Sequence, residues 1–137
     1  MNAPTNISRI IEAVTRGYVS AMLWTTTDEQ DGRYLDERYN IDDLSVDARE
    51  TVELDCTRFV LENWDVLKGA VPVAATERTD KWSQVGHDFW LTRCGHGAGF
   101  WDGHWSSPHG WQLTGASRKA GECWVYVSDD NEVEVTK

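Results

Sequence analysis

Apolar positions recur at helical spacing twice in the first half of the chain. Ile7, Ile10, Ile11, Val14, Tyr18, Ala21 and Met22 form the first stripe, which predicts an amphipathic helix with its apolar face on the core. Asn6 or Ser8 is placed to cap it. Gly17 interrupts the stripe at a cost of about 1 kcal/mol relative to alanine, so it suits a point of close packing. A second helix is predicted from Ser45, as N-cap, to about Leu67. Its buried face carries Ala48, Val52, Cys56, Phe59, Val60 and Leu67, while Asp47, Glu50, Glu53 and Glu62 point outward. Cys56 therefore reads as a packed thiol. Gly69 and Pro72 end the helix. Between the two helices, Thr25 to Asp43 has no clean period and reads as a long acidic loop punctuated by Asp31-Gly32 and Asn40.

Beyond Pro72 the period reads as two. Val85 to Arg93 is expected to be a strand, Cys94-Gly95-His96-Gly97 a turn, and Ala98 to Asp102 the returning strand. Gly103 to Gly110 is a loop, and Trp111 to Ala120 a short helix ended by Gly121. Glu122 to Ser128 is the best strand in the chain, and Asp129-Asp130-Asn131 turns it into a charged edge strand, Glu132 to Val135. The expected fold is one α+β domain over 1–137, with a helical acidic half (1–70) and a Trp/His/Gly-rich β half (71–137). Two N-terminal helices would pack on a small three- or four-stranded antiparallel sheet, with one short extra helix.

Charge sharpens this division. Residues 28–65 hold thirteen acidic side chains and four arginines, and so carry nearly all of the net charge of −10. Such a segment repels phosphate, which argues against direct nucleic-acid binding and for a partner with a basic surface. Five of the eight tryptophans and all four histidines lie between Trp82 and Trp111. Three cysteines at wide spacing do not suggest a disulfide framework and fit a reducing, cytoplasmic setting. Met1 to Ser8 does not read as a leader, and no apolar run is long enough to span a bilayer, so no membrane association is expected.

His87 to Asp102, HDFWLTRCGHGAGFWD, is the most distinctive stretch. It resembles a motif of small bacteriophage and prophage proteins to which no common activity is attached. In that motif Asn stands where this chain has Cys94. The likeness extends to Leu35-Asp36-Glu37-Arg38-Tyr39, to Asp55-Cys56 on a helix, and to a closing strand before Asp129-Asp130. The resemblance implies a phage-type protein and no particular chemistry. Asn at position 94 would suit a left-handed turn, and Cys94 would then be a tolerated replacement.

Five chemical readings compete for these residues. Cys94, His87, His96, His104, His109, Asp88 and Asp102 are competent metal ligands, but their spacing matches no established pattern, and no metal or other cofactor is expected. His87, Asp88, Arg93, His96 and Asp102 could supply an acid, a base and an anion clamp for a small hydrolase or nucleotide-processing enzyme. Gly95-x-Gly97-x-Gly99 reads as turn chemistry more readily than as a phosphate cradle. Trp90, Trp101, Trp111 and Trp124 are expected in the core, and Trp105, in a Gly/Ser/Pro loop, at an exposed contact. Finally, the acids, among them Asp28, Glu29, Asp31, Asp36, Glu37, Asp42, Asp43, Asp47, Glu50 and Glu53, could imitate the charge of a DNA backbone. The leading expectation is a small accessory protein that binds a host protein through Asp28, Asp31, Asp36, Glu37, Asp42, Asp43, Asp47, Glu50 and Trp105, and blocks a nucleic-acid-binding surface. The alternatives are the hydrolase above and a virion structural or assembly protein.

Overall fold

Helix α1 (Ile7–Thr25) forms where the first apolar stripe lies, with Ile10, Val14, Tyr18, Ala21 and Met22 buried. Asn6 occupies the N-cap position, but its side chain makes no capping bond. The computed structural model describes residues 3–73 and 80–137. Met1 and Asn2, the start of the stretch read as lacking a leader, lie outside them.

The acidic loop is more ordered than its lack of periodicity suggests. It contains two single 3-10 turns, Leu35–Glu37 and Ile41–Asp43. Helix α2 (Val46–Glu62) starts at Ser45, whose Oγ accepts from the Ala48 N–H at 3.0 Å and also bonds the Glu134 carboxylate. A four-residue turn of helix, α3 (Trp64–Leu67), carries the chain on. The buried face of α2 includes Ala48, Val52, Cys56, Phe59 and Val60.

The middle of the chain differs from expectation. Val85 to Arg93 is not a strand but most of helix α4 (Lys81–Arg93), and Asp80 caps it by accepting from the Ser83 N–H at 2.8 Å. Asp88, Phe89, Trp90, Leu91, Thr92 and Arg93 are six consecutive buried residues. A helix enclosed on nearly every side has no polar face, so its sequence loses the 3.6-residue alternation that would identify it. Cys94 to Gly97 is accordingly not a hairpin turn. Gly95 adopts φ +71°, its N–H donates to Thr92 O at 3.3 Å, and the His96 N–H donates to Leu91 O at 2.9 Å. This is a helix C-terminus closed by a left-handed glycine. Ala98 to Asp102 is a turn rather than a returning strand.

Helix α5 (His109–Lys119) follows, and then the hairpin of β1 (Trp124–Val127) and β2 (Val133–Thr136). The pairing is antiparallel, with Trp124 opposite Thr136 and Val127 opposite Val133. Among the described residues the sheet has these two strands, not three or four. The assembly is therefore not two helices on a sheet. It is a helical body in which α1 packs chiefly on α4, with α5 also against α4 and the hairpin against α2. The core runs through Val14, Tyr18, Val52, Phe59, Phe89 and Phe100. The described residues of 71–137 thus hold two helices and one hairpin, not a β half. Among the described residues no helix is long and apolar enough to cross a membrane.

Candidate functional site

The His87–Asp102 motif lies on α4 and the loop that returns to it, and most of its polar side chains are used internally. Asp88 is buried, and its Oδ2 accepts from the Trp105 indole N–H at 2.6 Å while Oδ1 accepts from Gln84 at 3.1 Å. Thr92 Oγ1 accepts from the Phe100 N–H at 3.1 Å. Asp102 Oδ2 accepts from the Gly99 N–H at 3.2 Å. Its Oδ1 lies 2.9 Å from His104 Nδ1, at ion-pair distance but without hydrogen-bond geometry. The Phe100–Thr92 and Trp105–Asp88 bonds tie the return loop and the tryptophan that follows it to the helix, while the Gly99–Asp102 bond closes the loop on itself.

Arg93 has the same character. Its guanidinium donates to Asp55 Oδ2 at 2.8 Å, to Tyr18 Oη at 3.2 Å, to Ala120 O at 2.9 Å and to Gly121 O at 2.6 Å. The last two acceptors belong to the C-terminal end of α5, where carbonyls lack helical partners. Arg93 is therefore a buried staple joining α1, α2, α4 and the end of α5.

Of the five residues put forward for catalysis, Asp88 and Arg93 are enclosed and Asp102 is bonded into the loop. His87 and His96 reach the surface in part, in different surroundings: His87 stacks on Trp24 at 5.9 Å, and His96 packs near Trp90. The five do not converge on one open site. Among the described residues no three His, Cys, Asp or Glu side chains gather closely enough to hold a metal ion. Gly95, Gly97 and Gly99 follow a helix C-terminus, whose dipole opposes an anion.

The tryptophans divide differently from expectation. Trp90 is buried and donates to Thr25 Oγ1 at 2.7 Å. Trp101, Trp111 and Trp124, expected in the core, are exposed at 39%, 69% and 56%. Trp105, expected at an exposed contact, is 5% exposed because its N–H serves the buried Asp88. It is not available as a surface anchor.

Several acids of the proposed binding set also have internal duties. Asp28 is largely buried and pairs with Arg38 at 2.8 Å, and Asp31 pairs with the same guanidinium at 2.7 Å. Glu37 accepts from the Tyr34 N–H at 3.1 Å, and Asp43 from the Asn40 N–H at 2.7 Å, each closing a 3-10 turn. Glu53 pairs with Arg49. Glu29, Asp36, Asp42, Asp47 and Glu50 are exposed, and among the described residues their side chains have no ion-pair or hydrogen-bond partner.

One feature was not legible in the sequence. A groove of about 710 Å3 is lined by the Thr25–Gln30 stretch and strand β1, together with Trp90, Cys94 and His96. Burial pushes the Cys94 thiol from its ordinary 9.0 up to about 11 and raises Cys123 as well, so both stay protonated near neutrality and are poor nucleophiles. Also unforeseen is a Ser106–His109 pair, with Oγ 2.8 Å from Nδ1. Ser106 Oγ also accepts from the Val71 N–H at 2.9 Å, which anchors the chain leaving α3.

No family model, curated protein or solved structure matches this chain.

Proposed function

We propose that the chain is a binding module for a protein with a basic surface, acting through its acidic loop and the start of α2. The observation that carries this reading is the set of five uncompensated carboxylates, Glu29, Asp36, Asp42, Asp47 and Glu50, on one contiguous segment. The backbone of Asp36 and Asp42 is held by capped 3-10 turns, and that of Asp47 and Glu50 by the Ser45-capped helix α2. Preorganised charge loses less conformational entropy on association than charge on a mobile tail. It also steers encounter with a cationic surface.

The same charge is what a competitor for a phosphate-binding surface needs, so we extend the proposal to interference with a nucleic-acid-binding protein. The resemblance to phage proteins supports a bacterial host protein as the target. The hydrolase alternative is weakened by the internal use of Asp88, Arg93 and Asp102. No observation favours a virion role.

The test uses the triple variant Asp36→Lys, Asp42→Lys, Glu50→Lys, which spares the capping acids Glu37 and Asp43. The wild-type chain is expected to capture a salt-released basic protein from bacterial lysate, and duplex DNA should compete for it. The variant should lose capture while keeping its melting temperature. Capture undiminished in the variant would sink the proposal.

A further inference from the structure

Among the described residues strand β1 has one neighbour, β2, and its other edge lies along the groove. The register shows which backbone groups face outward. Ser128 N–H donates to Glu132 O at 2.9 Å, so 128 and 132 are a hydrogen-bonded pair. Bonded pairs alternate along an antiparallel ladder. Tyr126 and Trp124 therefore turn their N–H and C=O toward β2, and Val125 and Val127 turn theirs to the open edge. Neither valine's outward groups have a partner among the described residues.

The far wall of the groove is also extended backbone. Leu35 N–H donates to Thr26 O and Asp28 N–H to Arg33 O, so Thr27 forms an isolated antiparallel bridge with Tyr34. Thr27 lies between those two bonds. Its own N–H and C=O have no partner among the described residues, and it lines the groove. Two short strand edges thus flank one gap.

Exposed strand edges are normally blunted by a charge, a proline or a bulge within the strand. Trp124-Val125-Tyr126-Val127 has none of these, and the Trp124 and Tyr126 side chains are exposed. Asp28, Glu29 and Glu122 line the groove, and among the described residues no lysine or arginine does. Asp28 shares Arg38 with Asp31, whereas Glu29 and Glu122 have no cationic partner among the described residues.

We propose that this groove binds an extended, cationic segment of a protein partner, which adds to β1 as a third strand. Backbone bonds to Val125 and Val127 would supply affinity independent of sequence. Lysine or arginine at alternate positions would lay alkyl stems against Trp124 and Tyr126 and place charge near Glu29 and Glu122. A second copy of this chain is the poorer occupant, since it brings the same acidic rim and a net charge of −10. The inference rests on the reading of the chain as a module for basic proteins; the groove shares Glu29 with that acidic set but is not lined by Asp36, Asp42 or Glu50.

The test is fluorescence anisotropy of the full chain with a labelled eight-residue peptide of alternating lysine and threonine, alongside amide hydrogen exchange. Binding should slow exchange at Val125 and Val127. A peptide with proline replacing each threonine should bind at least about five-fold more weakly, the loss expected for one backbone hydrogen bond. Val125→Pro, which removes an N–H outside the β1–β2 ladder, should weaken binding similarly. Glu29→Lys with Glu122→Lys, which leaves the ladder untouched, should also weaken it. Unchanged affinity in that charge variant, equal binding of the proline peptide, protection mapping away from β1, or dimerisation of the free chain through β1 would each overturn the proposal. The Asp36/Asp42/Glu50 variant separates the two readings. It should keep peptide binding while losing the lysate partner, so either site can fail alone.

Discussion

Arg93 on α4 and Asp55 on α2 meet 2.8 Å apart, with the guanidinium side chain 1% and the carboxylate 8% exposed. The pair is surrounded by further partners: Lys137 reaches the other carboxylate oxygen at 2.6 Å, and Tyr18 and the end of α5 accept three further bonds from the guanidinium. Neither residue is placed to meet a substrate. Their proximity in space, 38 positions apart in the chain, turns a candidate anion clamp into a structural junction.

Arg93→Ala should therefore destabilise the fold by about 3–5 kcal/mol, the range for removing one partner of a buried ion pair. Urea denaturation followed by tryptophan fluorescence reads this directly. A midpoint equal to wild type would show that the junction carries little of the stability.

The crossing of α1 and α4 depends on two glycines. A Cβ on Gly86 would overlap Val14 O and stand 2.6 Å from Tyr18 N, and a Cβ on Gly17 would overlap Ser83 O. Both clashes are with backbone, so the helices would have to separate. Gly86→Ala should cost several kcal/mol or prevent folding, beyond the usual 1–3 kcal/mol of overpacking. Gly115 on α5 has open space where its Cβ would be, and Gly115→Ala should stabilise by about 0.5–1 kcal/mol. Thermal melts of the two variants should move in opposite directions.

Trp105→Phe keeps an aromatic side chain but trims the indole to a phenyl ring and removes the donor to the buried Asp88. The expected cost is about 1–3 kcal/mol, the penalty for stripping a bond from a buried acceptor. Trp111→Phe, at an exposed position, should cost less than about 0.5 kcal/mol. Paired denaturation curves would reverse the burial assignment if Trp111 proved the more costly.

Alkaline pH should weaken the fold, with a definite sign. Burial raises the thiols of Cys56, Cys94 and Cys123 and the phenol of Tyr18. A raised folded-state value gives stability that is complete below the unfolded value and lost as pH climbs through the folded one. For Cys94 that window runs from 9.0 to about 11. Stability should decline above pH 9, and native-state alkylation at pH 7.5 should be slow at all three thiols. Rapid labelling of Cys94 at neutral pH would contradict the burial argument.

Where local chemistry is unambiguous, sequence alone located the elements. The stripe from Ile7 to Met22, the Ser45 cap, the buried Cys56, the helix ending near Gly121 and the Asp129-Asp130-Asn131 hairpin could all be read from periodicity, capping and turn preference. The acidic excess of residues 28–65 was equally plain. Tertiary structure decided the rest. Helix α4 is wrapped by its neighbours, so burial on nearly every side erased its period, and Gly95 serves a helix C-cap with the same left-handed backbone a hairpin turn would use. Whether Asp88, Arg93, Asp43 and Glu37 are free charges or internal acceptors and donors depends on which backbone and side-chain groups the fold brings beside them. The open edge of β1 is likewise a property of strand pairing, because any strand of that sequence could have had a neighbour on either side.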